Sequence, residues 1–467
     1  MDDSRSDPAT TPVSPSSTRR SQPDDGTRSG DTHFDVAVIG AGSAGETLTV
    51  ELASNGRRVV VFEPELIGGE CPYVACMPTK AMLHDAAIGR SWADSIRRRG
   101  EVVDHLDDSR HAGELERSGA TLVRHRARLR SDGSIRAGGQ RYDADGIVIA
   151  TGSTISIPPV DGLADLGDRC WTSVDAMTAD ERPTRLAIVG GGVIGCELAT
   201  IFARFGTEVH LLDVAPTAFP DLPPEIGDIV DDTLAVDGVR VRRGVSIDRV
   251  ARRGGGVRTT FDTGACLDTD RLLIATGTQP RTTDLGLEEL GVDPENLQVD
   301  HTGRVAGASS LWAIGDVAGF GEYTHLANRQ AKVVAAALLG GAPQRFDDGV
   351  TPACVFTDPP IVTIGPRPAD LSSDDVCWVS ARMNEIARWT TDELGEGFLT
   401  IAVDRATHRV VAAHGIGTRF DELAAALVTA IDGGVSVDRL ARSMWPFPSV
   451  GELLGVVYSR AAAELAS

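Results

Sequence analysis

Twice in this chain a short apolar run feeds straight into a glycine-rich turn, and the two copies lie 150 residues apart. The first runs Phe34-Asp35-Val36-Ala37-Val38-Ile39 into Gly40-Ala41-Gly42-Ser43-Ala44-Gly45, continues as a helix to about Asn55, and returns as Arg58-Val59-Val60-Val61-Phe62-Glu63. The second runs Arg185-Leu186-Ala187-Ile188-Val189 into Gly190-Gly191-Gly192-Val193-Ile194-Gly195 and, after a helix, ends as Glu208-Val209-His210-Leu211-Leu212-Asp213. Unbroken apolar runs of this length are the mark of parallel strands buried on both faces. The glycines permit a tight turn and the close approach of a pyrophosphate to the helix N-terminus. An acid ~20 residues on can bind a ribose hydroxyl. A lone GxGxxG says little, but one lodged between strand and helix with the acid in place points to a dinucleotide site. A second echo supports the duplication, since Ile147-Val148-Ile149-Ala150-Thr151-Gly152 is matched by Leu272-Leu273-Ile274-Ala275-Thr276-Gly277. The expected class is α/β, with two Rossmann-like dinucleotide-binding domains.

Just after the first unit comes Gly68-Gly69-Glu70-Cys71-Pro72-Tyr73-Val74-Ala75-Cys76-Met77-Pro78-Thr79-Lys80. In a regular helix, residues five apart are offset by ~7.5 Å along the axis. That exceeds the ~4.4–6.8 Å between the Cα atoms of a disulfide. A Cys71–Cys76 bridge therefore needs an irregular, tightened helix start, where Pro72 and Pro78 are tolerated. A bridge held that way is strained and easily reduced. On the residues alone three readings stand: a redox-active disulfide, two inert thiols, or half of a zinc site. Zinc would need a second closely spaced pair of ligands, which the sequence lacks, so no metal site is expected.

Composition narrows the setting. For 467 residues a prior of ~150 per domain suggests about three domains. Seven cysteines scattered through a chain of this size argue for a reducing cytoplasm rather than a secreted disulfide framework. Cys170, Cys196, Cys266, Cys354 and Cys377 read as packing residues. A net charge of −22 disfavours nucleic acid and anionic membrane as partners. No apolar run approaches the ~18 residues that span a bilayer. Residues 1–32 hold no apolar cluster, so they should be disordered and contain no signal-peptide core.

Two dinucleotide units flanking a cysteine pair make the chain resemble the flavoprotein disulfide reductases, the family of dihydrolipoyl dehydrogenase, glutathione reductase and mercuric reductase. The resemblance covers residues 33–467, and the family's GGxCxxxxCxPSK stretch is met from Gly68 to Lys80 with Thr79 for serine. It implies an FAD-binding domain split over 33–155 and 280–347, a nicotinamide nucleotide domain at 156–279, and an α+β dimerisation domain at 348–467. By that resemblance Gly40, Gly42, Ser43, Ala44, Gly45 and Glu63 would bind FAD. Gly190, Gly192, Val193, Ile194, Gly195 and Asp213 would bind NAD(H). Gly69, Ala150, Thr151, Gly152 and Gly277 join the cofactor-binding set. Ala313-Ile314-Gly315-Asp316 resembles the family's second FAD segment, with Asp316 on the ribityl chain. Tyr323-Thr324-His325 would start a helix whose positive end faces the flavin. Lys80 would meet Glu197 beside the flavin, Cys76 would be the sulfur against it, and Cys71 the sulfur that exchanges with substrate. Homodimerisation follows from the C-terminal portion, where Phe398–Val403 and Val410–Gly417 read as antiparallel strands and Phe420–Ile431 as a helix.

The pattern breaks near the end. Thiol-exchanging family members carry His-Pro-Thr-x-x-Glu there, an acid–base pair supplied across the dimer. This chain reads Phe447-Pro448-Ser449-Val450-Gly451-Glu452. Glu452 keeps a candidate catalytic position, yet Ser449-x-x-Glu452 is also a capping box. Mercuric reductases use a C-terminal cysteine pair instead, but the last cysteine here is Cys377. The reading is thus an FAD-dependent oxidoreductase passing electrons from NADH to a small-molecule acceptor. Dihydrolipoyl dehydrogenase is the alternative, and a non-catalytic FAD-bound scaffold the alternative of another class. NADH is expected over NADPH, because Asp213 would repel a 2′-phosphate and Val214 to Pro224 contains no basic residue.

Overall fold

A computed structural model describes residues 32–466. The expected disorder of the first 32 residues falls almost wholly outside that range. Five parallel strands form the main part of a seven-stranded first sheet, in the order Thr121–Val123, Val59–Phe62, His33–Ile39, Gln140–Ile149, Leu311–Ala313. Register is tight at its centre, where Val38 lies opposite both Val61 and Val148. Val36, Ala37 and Val38 are buried, as the apolar run requires of a strand covered on both faces. The helix Ser43–Ser54 packs on one side, together with Thr324–Leu338.

The second sheet repeats this plan with strands Arg240–Arg242, Glu208–Leu212, Arg185–Val189, Arg271–Ile274 and Cys170–Trp171, again all parallel. Each half also carries a small antiparallel meander before its closing strand. Two short antiparallel strands, Ser153–Ile155 and Thr278–Pro280, pair where the chain passes between the halves. The repeated turns share one steric logic. Gly40 has φ +102° and Gly190 φ +105°, and a Cβ on either would strike the carbonyl of Ala150 or Ala275 respectively. Only glycine fits such a backbone approach.

The last sheet is antiparallel and five-stranded: Pro352–Val355, Ile361–Ile364, Val410–Ile416, Phe398–Asp404, Val376–Arg382. Helices Phe420–Asp432 and Glu452–Leu465 cover it over a core that includes Phe420, Leu453 and Tyr458. A second core runs between domains. Met82 of the cysteine-bearing helix, Phe202 of the second nucleotide unit, and Val355 and Phe398 of the C-terminal sheet belong to one buried cluster. The three parts of the chain are therefore packed together against the helix that begins at Cys76. Among the described residues, no helix is long and apolar enough to cross a membrane.

Candidate functional site

The irregular helix start needed to bring the cysteines together is present. A short turn, Glu70–Tyr73, ends at Val74, and Ala75 breaks the helical path with φ −126° and ψ −99°. The main helix then begins at Cys76 and runs to Ala87. Cys71 and Cys76 lie side by side at this break, unbridged in this structure. They interact directly with each other. The Thr324 hydroxyl donates to Cys71 Sγ at 3.2 Å and lies 3.9 Å from Cys76 Sγ.

The two sulfurs are not equivalent. Cys76 is drawn down to about 6 by its hydrogen bond with Cys71 and by the Lys80 charge, against the cost of its own burial. Cys71 is pushed well above the ordinary thiol range by the same hydrogen bond and by burial. The first proton therefore leaves readily and the second does not, as expected when like charges share one site.

Lys80 and Glu197 do meet. Lys80 Nζ donates to Glu197 Oε2 at 2.7 Å, and Glu197 is only 3% exposed. The other carboxylate oxygen accepts from Phe356 N at 3.0 Å. The Phe356 ring also lies under the ammonium, 5.0 Å from its centroid, a favourable cation–π distance. One residue from each domain thus fixes this ion pair. Phe356 had no sequence signal pointing to the site.

Around the first glycine turn, Glu63 accepts from Ala41 N at 2.9 Å and from Glu65 N at 2.8 Å, so the acid is anchored at the turn. A Cβ on Gly42 would meet nothing closer than Gly69 Cα at 3.8 Å, which leaves this face open for a ligand. Asp316 is raised above the usual carboxylate range by burial, and Ser153 Oγ donates to it at 3.1 Å. Gln330 accepts from Gly315 N at 2.6 Å, while its buried Nε2 finds no partner. A buried acid and an orphaned amide beside a glycine cradle suit a polyhydroxylated dinucleotide such as FAD.

The second turn holds a surprise. Asp213 Oδ2 accepts from Gly191 N at 2.9 Å, but also from Arg243 at 2.9 Å, whose other nitrogen bonds Asp231 at 2.7 Å. Arg243 follows the neighbouring parallel strand Arg240–Arg242, so the search of Val214 to Pro224 could not find it. Val193 opens the following helix and is 44% exposed.

Other expected residues turn elsewhere. His325 Nε2 donates to Pro352 O at 2.8 Å, with its ring stacked on Tyr323, so it serves the start of the C-terminal sheet. Glu452 Oε1 accepts from Ser449 N at 2.8 Å, but the Ser449 hydroxyl donates to Pro446 O. Only half of the expected capping box forms. Phe447 is 77% exposed. Cys266, expected to be a packing residue, is exposed at the edge of a hairpin; the alternation of that strand points its side chain outward.

A doubly wound pair of nucleotide-binding units with a dithiol at their junction defines a flavoprotein oxidoreductase architecture. The chain belongs to the pyridine nucleotide-disulphide oxidoreductases, whose family pattern matches residues 34–337, and residues 351–457 match that family's dimerisation domain. It is accordingly an FAD-dependent enzyme that uses a pyridine nucleotide, and the dimerisation domain supports a homodimer. Among its relatives is RclA of Escherichia coli, a probable pyridine nucleotide-disulfide oxidoreductase, 29% identical over 91% of this chain and 99% of the other. A mercuric reductase of Shigella flexneri is 30% identical over 89% of this chain and 79% of its own length. A dihydrolipoyl dehydrogenase of Pseudomonas aeruginosa is 29% identical, covering 89% and 95%. The solved Cu(II) complex of RclA superposes with a TM-score of 0.84, covering 91% of this chain and 99% of that one at 29% identity.

Proposed function

We propose that this enzyme takes electrons from NADH through FAD to the Cys71–Cys76 pair and passes them to a small-molecule acceptor. The observation that carries this reading is the dithiol set beside the Lys80–Glu197 ion pair at the junction of both nucleotide units. Bound FAD would supply the hydride-accepting chemistry that the side chains lack. Asp316, Gly40, Gly42 and Glu63 would hold it, and Lys80 would favour negative charge on Cys76. Reducing the bridge takes two electrons and two protons and leaves two thiols. With a disulfide acceptor, the Cys71 thiolate attacks one sulfur and expels the other as a thiolate. Cys76 then attacks Cys71, releasing the second thiol and re-forming the bridge. Purified protein should be yellow and oxidise NADH. A screen of disulfides, quinones and metal ions identifies the acceptor, and a colourless folded protein would end the reading. Metal ions belong in that screen because relatives include mercuric reductases and a copper-bound RclA.

The low Cys76 value fixes a pH dependence. A lowered thiol favours the anion, so thiolate is present above about pH 6 and is lost below it. Alkylation of the reduced protein at Cys76 should be near its plateau at pH 8, fall to about half near pH 6 and continue to fall as acid is added. A midpoint at the ordinary cysteine value of ~8.5 would contradict the environment assigned to Cys76.

For the nucleotide, the arithmetic of charge still favours NADH. Arg243 offers one positive charge to two carboxylates, Asp213 and Asp231, so a 2′-phosphate would enter a net negative site. We expect kcat/KM for NADH to exceed that for NADPH by about tenfold or more, equivalent to ~1.4 kcal/mol per factor of ten. Preference for NADPH would show that Arg243 leaves Asp213 to take the phosphate.

A further inference from the structure

We infer that Thr324 is a catalytic residue, its hydroxyl being the hydrogen-bond donor that stabilises negative charge on the sulfur of Cys71 when that sulfur attacks the acceptor. The inference rests on the redox-dithiol reading above and adds a residue to it. Thr324 opens the helix Thr324–Leu338, 253 residues away from Cys71 in sequence. Its side chain reaches both sulfurs, at 3.2 Å to Cys71 and 3.9 Å to Cys76. The shorter contact is made with the hydroxyl as donor, so it strengthens as charge builds on Cys71. Hydrogen bonds to ionised acceptors are about twice as strong as neutral ones.

The need for such a donor comes from the rest of the site. Both sulfurs are partly buried, and burial opposes the thiolate form of each. The charged groups facing them are Lys80, from the helix beginning at Cys76, and Glu197, from the helix after the second glycine turn. Lys80 is shared with Glu197, so its charge is partly neutralised. His325, next along the chain, is turned onto Pro352. Glu452 is held at Ser449, and Phe447 brings no proton-transferring group. Among the described residues of this chain, the Thr324 hydroxyl is the side-chain oxygen that donates to Cys71. In the exchange step the S–H proton of Cys71 passes to the neighbouring Cys76 thiolate, the charge now on Cys71 is held by the Thr324 hydrogen bond, and the new S–S bond forms as the acceptor's second sulfur leaves with the electron pair.

The test compares Thr324→Val, which keeps the shape and removes the hydroxyl, with Thr324→Ser, which keeps the donor. The dithiol of the FAD-loaded protein is generated with a phosphine, and iodoacetamide labelling of Cys71 is followed against pH by peptide mass spectrometry. Thr324→Val should slow Cys71 labelling by about tenfold at each pH, the loss of one hydrogen bond to a charged sulfur. Thr324→Ser should remain near wild type. An unchanged profile in Thr324→Val, or an equal loss in both variants, would overturn the assignment. If Thr324→Val fails to fold, Thr324→Ala carries the same comparison. Because the phosphine replaces NADH, wild-type protein whose thiols appear with phosphine but not with NADH would sink the electron route and leave the Thr324 result to be read separately.

Discussion

Cys71→Ser should abolish NADH-dependent reduction of small disulfides and leave NADH-to-quinone turnover largely intact. A disulfide must be attacked by a thiolate, and a serine hydroxyl is not ionised near neutral pH. Quinones can accept electrons from a reduced flavin without any sulfur chemistry. The substitution is structurally mild, since Cys71 is half-buried in a short turn rather than in a core. The matching Cys76→Ser variant should lose disulfide reduction as well, because the mixed disulfide on Cys71 would then have no resolving sulfur. Steady-state rates with one disulfide and one quinone are enough to decide. Wild-type disulfide reduction in Cys71→Ser would show that Cys71 is not the exchanging sulfur. Parallel loss of quinone turnover would mean that the substitution had damaged the nucleotide sites instead.

What the sequence reveals and what it hides divides along one line. The glycine turns, with Glu63 and Asp213, are legible because strand, turn and acid lie within one unit, and Lys80 and Glu197 because each follows a local motif. The residues that complete the site arrive from remote segments. Thr324 reaches the cysteines from 253 residues away, and Phe356 reaches Glu197 from 159. The resemblance sets Thr324 at a helix start facing the flavin but not against the cysteines, and Phe356 has no spacing that marks it. Arg243 is nearer, 30 residues from Asp213, yet it is brought there by parallel pairing of His210 with Arg240 and Leu212 with Arg242. A scan of the loop after Asp213 could not see a neighbour set by strand register. The capping box at Ser449 fails for another reason. The helix starts at Glu452 with Gly451 at its cap, so Ser449 lies two residues short of the capping position and its hydroxyl donates to Pro446 O, a shift in the helix start that a four-residue pattern does not encode.

The same segment gives the other large expected effect. Oxidation of dihydrolipoamide requires a base to take a thiol proton and an acid to return it, and such a placed group is typically worth ~10²–10⁴-fold. By the resemblance, that base is a histidine supplied across the dimer in thiol-exchanging relatives, and its counterpart in this chain is Phe447, 77% exposed. A phenyl ring cannot move a proton. Glu452 is a poor substitute, with an ordinary carboxylate pKa of ~4.3 and one oxygen committed to Ser449 N. Wild-type lipoamide turnover should therefore be weak beside turnover with acceptors that need no thiol deprotonation. Phe447→His should raise it, toward the lower end of that range at ~10²-fold, because the new imidazole would have to share Glu452 with the Ser449 backbone. Quinone turnover should not move, since it bypasses the thiol step. The comparison is a steady-state assay of both acceptors in wild type and variant. Wild-type lipoamide turnover equal to the best quinone or metal-ion rate would sink the argument, and would place the base elsewhere in the dimer.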